Sequence, residues 1–240
     1  MRRTILVSDK KKIKMSGFKR INVALAMEET GLVPLFYHPD VQVCRDVISA
    51  CHDGGARVFE FTNRGDFAHE VFAEIRKWAR DEFPDLMIGA GSVPDAPTAA
   101  IFMQMGADFI VSPVLNPEVA RICNRRKVLW IPGCGTLTEI SQAEELGAEI
   151  VKIFPGTAVG GPSFVKAVKG PCPWTSIMPT GGVDPSEENL EKWFAAGVTC
   201  VGMGSALITE KTVKAGDWKS LAATVRNTLH TIKKLRSSAS

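Results

Sequence analysis

An eightfold alternation of short apolar runs with helix-patterned segments constrains this chain more than any other feature. β-Rich apolar stretches occupy residues 33–37, 57–62, 86–93, 109–114, 129–134, 149–155, 176–182 and 200–207, and their starts lie 20 to 29 residues apart. That interval accommodates one strand, one loop and one helix. The segments between them carry helix punctuation. Asn116-Pro117 and Asp184-Pro185 each offer a capping side chain followed by proline at the first helical position. Thr136 with Glu139, and Asp184 with Glu187, have capping-box spacing. Phe67, Val71, Ile75 and Trp78 recur at helical intervals, as do Leu190, Trp193 and Phe194, which predicts one apolar face per helix. Gly55-Ala56, Gly106-Ala107, Gly147-Ala148 and Gly197-Val198 mark helix ends, where a left-handed backbone favours glycine.

Eight strand–helix units with near-continuous apolar strands predict an α/β fold, a parallel sheet covered by helices and closed as one (β/α)8 TIM barrel. The expected division is a basic extension over residues 1–20 and a barrel domain over 21–240. An open doubly wound sheet is the alternative, but its dinucleotide fingerprint is missing. Gly89-Ala90-Gly91-Ser92 lacks the third glycine at the required spacing, and no Gly-x-x-x-x-Gly-Lys-Ser/Thr loop occurs.

With 45% hydrophobic and 23% charged residues, the chain is neither disordered nor collagen-like in composition. No apolar run approaches the roughly 18 residues of a membrane span, and the first twenty lack an apolar signal core. The expectation is a soluble, cytoplasmic protein without nucleic-acid or membrane partners. The net charge of +3 conceals an uneven distribution: residues 1–20 hold eight Lys/Arg against one Asp, leaving the other 220 near −4. Such a basic run could touch nucleic acid or membrane, but a solvated, partly disordered extension explains it better, and Met15 is a possible alternative start. The six cysteines form no Cys-x-x-Cys pair and are expected reduced. Cys44 and Cys51 suit burial on one helix, whereas Cys134, near a strand end, is a candidate reactive thiol. His38, His52, His69 and His230 are scattered and form no zinc-type cluster. Asp66, His69 and Glu70 fit a solvated helix face.

Reactive groups of barrel enzymes gather at the C-terminal ends of the strands. In the sixth run Ile150, Lys152 and Phe154 share a face; in the second, Val58, Glu60 and Thr62 do, with Arg64 following. If those faces are interior, two charges sit within apolar walls, which is costly unless they are paired. The neutral amine of a lysine is the form that attacks carbonyls, and a nearby carboxylate can shuttle protons through water. A mere ion pair between Glu60 and Lys152 is the competing explanation. Pro179-Thr180-Gly181-Gly182 and Gly202-Met203-Gly204-Ser205 fall at the seventh and eighth strand ends, where exposed amides bind phosphate in many barrels.

Taken in order, Phe-Glu-Phe-Thr-Asn-Arg (59–64), Gly-Ala-Gly-Ser-Val (89–93), Ser-Pro-Val-Leu (112–115), Ile-Pro-Gly-Cys-Gly-Thr (131–136), Lys-Ile-Phe-Pro (152–155), Pro-Thr-Gly-Gly (179–182) and Gly-Ser (204–205) resemble the motifs of 2-keto-3-deoxy-6-phosphogluconate (KDPG) aldolases. That family includes bifunctional 4-hydroxy-2-oxoglutarate (KHG) aldolases. The resemblance covers about residues 31–235. It implies a class I aldolase, usually a homotrimer, acting on small 2-keto acids and aldehydes with no metal or other cofactor. It further implies Lys152 as the Schiff-base lysine and Glu60 as general acid/base. Arg64 and Ser92 match the positions that hold the keto-acid carboxylate, and Thr180 lies beside the hydroxylated portion. Gly181, Gly182, Gly204 and Ser205 match the phosphate pocket, and Pro113 and Phe154 match the apolar walls.

Several positions depart from the family pattern. Ser92 replaces a common threonine, Asn63 an aliphatic residue and Gly135 a serine, while Tyr37 and His38 end the first strand where aliphatic residues are usual. These changes bear on substrate preference more than on reaction type. The leading expectation is cleavage to pyruvate and glyceraldehyde 3-phosphate. The alternatives are cleavage of 4-hydroxy-2-oxoglutarate or the C4-epimeric galactonate, enolate decarboxylation or epimerisation, and a non-catalytic phosphosugar sensor.

Overall fold

The computed structural model describes residues 17–237; most of the basic run, with Met15, lies outside them. In chain order the elements are α1 (Arg20–Thr30), β1 (Leu32–Phe36), α2 (Val41–Asp53), β2 (Val58–Thr62), α3 (Ala68–Glu82), β3 (Met87–Gly91), α4 (Ala96–Gln104), β4 (Phe109–Val111) and α5 (Pro117–Arg126). They continue as β5 (Leu129–Ile131), β6 (Gly133–Cys134), α6 (Leu137–Glu145), β7 (Val151–Ile153), α7 (Gly161–Lys169), β8 (Ile177–Pro179), α8 (Glu187–Ala195), β9 (Val201–Met203), α9 (Glu210–Ala215) and α10 (Trp218–Ser237). All strand pairs are parallel, in the orders β5-β4-β3-β2-β1-β9 and β6-β7-β8. A bridge between Thr180 and Gly202, with the Thr199 amide donating to the Ile177 carbonyl at 2.8 Å, joins β8 to β9.

Each of the eight apolar runs therefore supplies one stave of a (β/α)8 barrel. The fifth is split into β5 and β6 at Pro132, which has no amide to donate. Its carbonyl still accepts from the Lys152 amide at 2.8 Å, keeping the wall continuous.

Alternation along the strands sorts the core into two layers. Leu32, Phe59, Phe61, Ile88, Ile110, Trp130, Val151 and Ile153 pack outward against the helices. Val33, Val58, Met87, Phe109, Leu129, Ile150 and Met178 fill the interior. The first helix, α1, was not foreseen from the repeat. Its Val23 and Met27 are fully buried against that interior cluster, plugging the N-terminal end of the barrel. Arg20 anchors it, reaching Glu149 Oε1 at 2.6 Å and Asn124 Oδ1 at 2.5 Å.

Local signals held at most helix ends. Asn116 caps α5 and Thr136 caps α6, with Glu139 accepting in return from Thr136 Oγ1 and the Gly135 amide. Gly55, Gly106, Gly147 and Gly197 all take left-handed backbones. Three expectations need correcting. Asp184 does not cap α8: Ser186 does, accepting from the Asn189 amide, while Asp184 accepts from Ser186 in a local turn. Phe67 is not on the apolar face of α3; it precedes the helix with φ +61 and is 67% exposed, and Val71, Phe72, Ile75 and Ala79 form the buried face instead. Cys134 is no reactive thiol, since burial pushes it up to about 12, with Glu139 and Glu144 adding to the effect.

Among the described residues no helix is long and apolar enough to cross a membrane. Asp66 lies before α3 rather than on it, and no described group of three His, Cys, Asp or Glu could hold a metal ion.

Candidate active site

Phe59 and Phe61 face the helices, Phe61 packing 5.7 Å from Phe72, so the period of two turns Glu60 into the barrel. Lys152 enters from β7 by the same rule, between Ile150 and Phe154. The amine stands 4.0 Å from Glu60 Oε1, with the two side chains 7% and 1% exposed. That separation exceeds a hydrogen bond, yet one water or substrate oxygen could touch both groups. Neither carboxylate oxygen of Glu60 has a hydrogen-bond partner among the described residues. The Lys152 amine also lies 5.1 Å from the Phe154 ring centroid.

A second buried ion pair shows what a structural pair looks like here. Arg76 meets Asp108 Oδ2 at 2.8 Å, donates to the Gly106 carbonyl, and shares Asp108 with the Ile88 amide. The longer contact of Lys152 with Glu60, whose carboxylate accepts no hydrogen bond from a described residue, differs in kind. Such a pair contributes little stability and keeps its functional atoms available.

Small residues make the room. A Cβ at Gly91 would lie 1.8 Å from Glu60 Oε1, and one at Gly202 would lie 2.4 Å from Thr180 Oγ1. Gly133, level with Lys152, abuts the Pro113 carbonyl, which a Cβ would meet at 2.2 Å.

Above this pair, at the C-terminal ends of β1, β8 and β9, opens a cleft of about 890 Å³. Of the residues expected at the site, Arg64, Phe154, Thr180, Gly181, Gly182, Gly204 and Ser205 line it. Lys152 and Glu60 do not line it. They lie two residues below Phe154 and Thr62, roughly 6–7 Å deeper along the strands.

Arg64 is exposed and makes no ion pair with a described residue, so its guanidinium is available to an anion. Thr180 Oγ1 is buried with no hydrogen-bond partner among the described residues. Gly181 and Gly182 take φ of +92° and +80°, which glycine adopts without strain. No described carbonyl accepts from their amides or that of Ser205. Like Lys152 and Glu60, Ser92 and Pro113 do not line the cleft itself. Ser92 ends β3 with a left-handed φ of +57°, next to Gly91, and Pro113 backs Gly133. Thr62, Tyr37, His38 and the α9 residues Glu210, Val213 and Lys214 also line the cleft and were not picked as site residues. For Thr62 the signal was its shared face with Glu60.

A paired amine and carboxylate below a cleft lined by anion-binding groups can support imine chemistry on a keto acid, and the relatives agree. A family model described as KDPG and KHG aldolase matches residues 23–224. The chain belongs to that family. It is 35% identical over 187 residues to a 2-dehydro-3-deoxy-phosphogluconate aldolase of Pseudoalteromonas atlantica, covering 78% of this chain and 84% of the relative. It is 32% identical to the enzyme of the same name from Treponema pallidum, covering 88% and 98%. Among solved structures, a KDPG aldolase from Legionella pneumophila superposes with a TM-score of 0.77 at 26% identity, covering 86% of this chain and 97% of that one. That enzyme holds pyruvate captured at low pH as a covalent carbinolamine intermediate.

Proposed function

We propose that this chain is a class I aldolase that cleaves KDPG to pyruvate and glyceraldehyde 3-phosphate through an imine on Lys152. The observation that carries the reading is the buried Lys152–Glu60 pair, 4.0 Å apart beneath the cleft, with no hydrogen-bond partner for either Glu60 oxygen among the described residues. The names of the relatives, and the carbinolamine in the Legionella enzyme, support it.

In this mechanism the Lys152 amine attacks the C2 carbonyl carbon, and the carbonyl π pair moves to oxygen. Glu60 relays protons through water so that the carbinolamine loses water and leaves a protonated imine. Glu60 then takes the C4 hydroxyl proton through the water, the freed pair closes the aldehyde C=O as the C3–C4 bond breaks, and the C3–C4 pair flows into the imine to form an enamine. The aldehyde departs. Protonation at C3 and hydrolysis of the imine release pyruvate and restore the amine. Arg64 and Ser92 hold the keto-acid carboxylate, Thr180 lies by the hydroxylated carbons, and Pro113 and Phe154 wall the lysine. Gly181, Gly182, Gly204 and Ser205 take the phosphate, whose binding fixes the reacting carbons in register. The route calls on no metal, because the protonated imine is itself the electron sink.

Borohydride reduction with and without pyruvate, followed by intact mass and peptide mapping, tests this reading. A pyruvate-dependent adduct on the Lys152 peptide is expected; its absence from folded protein that binds pyruvate would overturn it. Rates on KDPG and 4-hydroxy-2-oxoglutarate then fix the aldehyde, and those on the C4 epimer the configuration accepted at C4. The family resemblance also supports a homotrimer, testable by sedimentation equilibrium, and the substrates fit a cytoplasmic enzyme. A division between residues 1–20 and the barrel domain of 21–240 belongs to the same proposal, testable by truncation before Arg20.

A further inference from the structure

The parallel pairing of β1 with β9 sets Pro34 level with Met203, so the two strands leave the barrel side by side. The chain beyond β1, Tyr37 and His38, lines the same cleft as Gly204 and Ser205. His38 is held from several sides. Its Nδ1 accepts from the Asp40 amide at 3.1 Å, and its carbonyl accepts from Cys44 Sγ at 3.2 Å. Its ring lies parallel to Phe36, centroids 6.4 Å apart with 4° between planes.

An acceptor at Nδ1 fixes the neutral ring with its proton on Nε2. Nε2 has no partner among the described residues, so the wall carries an oriented and unused donor. Lys214 across the cleft, by contrast, is engaged by Glu210 of its own helix at 2.5 Å. Resting on the aldolase reading above, we infer that His38 determines specificity. Its Nε2–H binds the terminal phosphate of the substrate beside the Gly204-Ser205 turn, and so favours phosphorylated over unphosphorylated keto acids.

The variants are His38→Phe, which keeps a ring over Phe36 but removes the donor, and His38→Gln, whose amide offers an N–H near the place of Nε2. His38→Leu serves if the larger ring is not accommodated, and melting curves verify folding. In His38→Phe, kcat/KM on KDPG should fall roughly 10- to 100-fold, mainly through KM, with most of it recovered in His38→Gln. Turnover of 4-hydroxy-2-oxoglutarate, and the borohydride-trapped pyruvate adduct on Lys152, should not change. Equal losses on both substrates, or no loss on KDPG, would overturn the assignment.

Titration with inorganic phosphate, followed by phosphorus NMR, judges His38 without turnover. Weaker binding in His38→Phe but not in His38→Gln supports it, and unaltered binding overturns it. A wild-type protein that forms no pyruvate adduct strikes the aldolase reading instead, and the phosphate titration still decides the role of His38.

Discussion

Gly91→Ala adds a single methyl group at the place where the proposed acid/base has least room. The new Cβ would lie 1.8 Å from Glu60 Oε1, 2.5 Å from Glu60 Cδ and 2.7 Å from Glu60 Cγ, whereas ordinary contact begins at 3.4 Å. The carboxylate must therefore retreat by about 1.6 Å, or β3 must shift away from β2. Gly91 is not in a left-handed conformation, so alanine is acceptable to the backbone and the substitution tests space alone. Overpacking of this kind costs about 1–3 kcal/mol, with each kcal/mol lowering Tm by roughly 2–4 °C for a chain of this size. Misplacing a reacting group by about 1 Å costs on the order of 100-fold in rate. The expected result is a kcat lowered about 100-fold or more, with slower borohydride trapping of pyruvate and a melting point down by several degrees. Gly89→Ala is the control. Its Cβ would meet the Phe109 ring at 2.4 Å, one layer deeper, so it should destabilise comparably yet leave kcat of the folded enzyme within about threefold. A Gly91→Ala enzyme that cleaves substrate within threefold of wild type would refute the placement of acid/base function on Glu60.

Glu60→Gln should lower kcat by roughly 10²- to 10⁴-fold while leaving stability to denaturant unchanged or raised, because it removes a buried charge that lacks hydrogen bonds. A large loss of stability would instead mark Glu60 as a structural partner of Lys152. Cys44, Cys123, Cys134 and Cys200 are each pushed up to about 12 by burial, and Cys51 is raised as well, so thiolate is scarce at pH 8. Native alkylation followed by peptide mapping should label the half-buried Cys172 first. Met27→Ala should cost about 2–5 kcal/mol in denaturant unfolding by opening the plug of the barrel. It should spare kcat at 25 °C, since α1 seals the end opposite the cleft.

The barrel was legible because its repeat is enforced eight times over by one requirement, an apolar strand followed by a helix that covers it. The cap of α6 was equally legible, since Thr136 and Glu139 satisfy each other within four residues. Asp184 misled because Ser186, two residues on, is an equally good cap, and the choice fell to how Asn189 bonds back to the Gly182 carbonyl and the Asp184 amide. The helix α1 was invisible to the strand repeat because it answers to a different need, closing the open base of the barrel with Val23 and Met27. The depth of Lys152 and Glu60 followed from alternation alone. The outer wall of the cleft did not, because α9 meets β1 only through closure of the ring.

The glycines complete that argument. Gly89-Ala90-Gly91 first drew notice as a nucleotide fingerprint that failed, and the failure was informative. Each glycine faces one bulky interior group, Phe109 for Gly89 and Glu60 for Gly91, while Ala90 faces the helices. Their spacing of two is that of a strand with one face turned inward, not that of a turn wrapped round a phosphate. A bulky polar residue inside a barrel needs a neighbour that gives up its side chain, and Gly91 against Glu60 and Gly202 against Thr180 meet that need on two staves. Pairs of this kind, a lone charge on one strand and a glycine two residues beyond its register partner on the next, can be sought in other apolar barrel sequences as a sign of a buried reactive group.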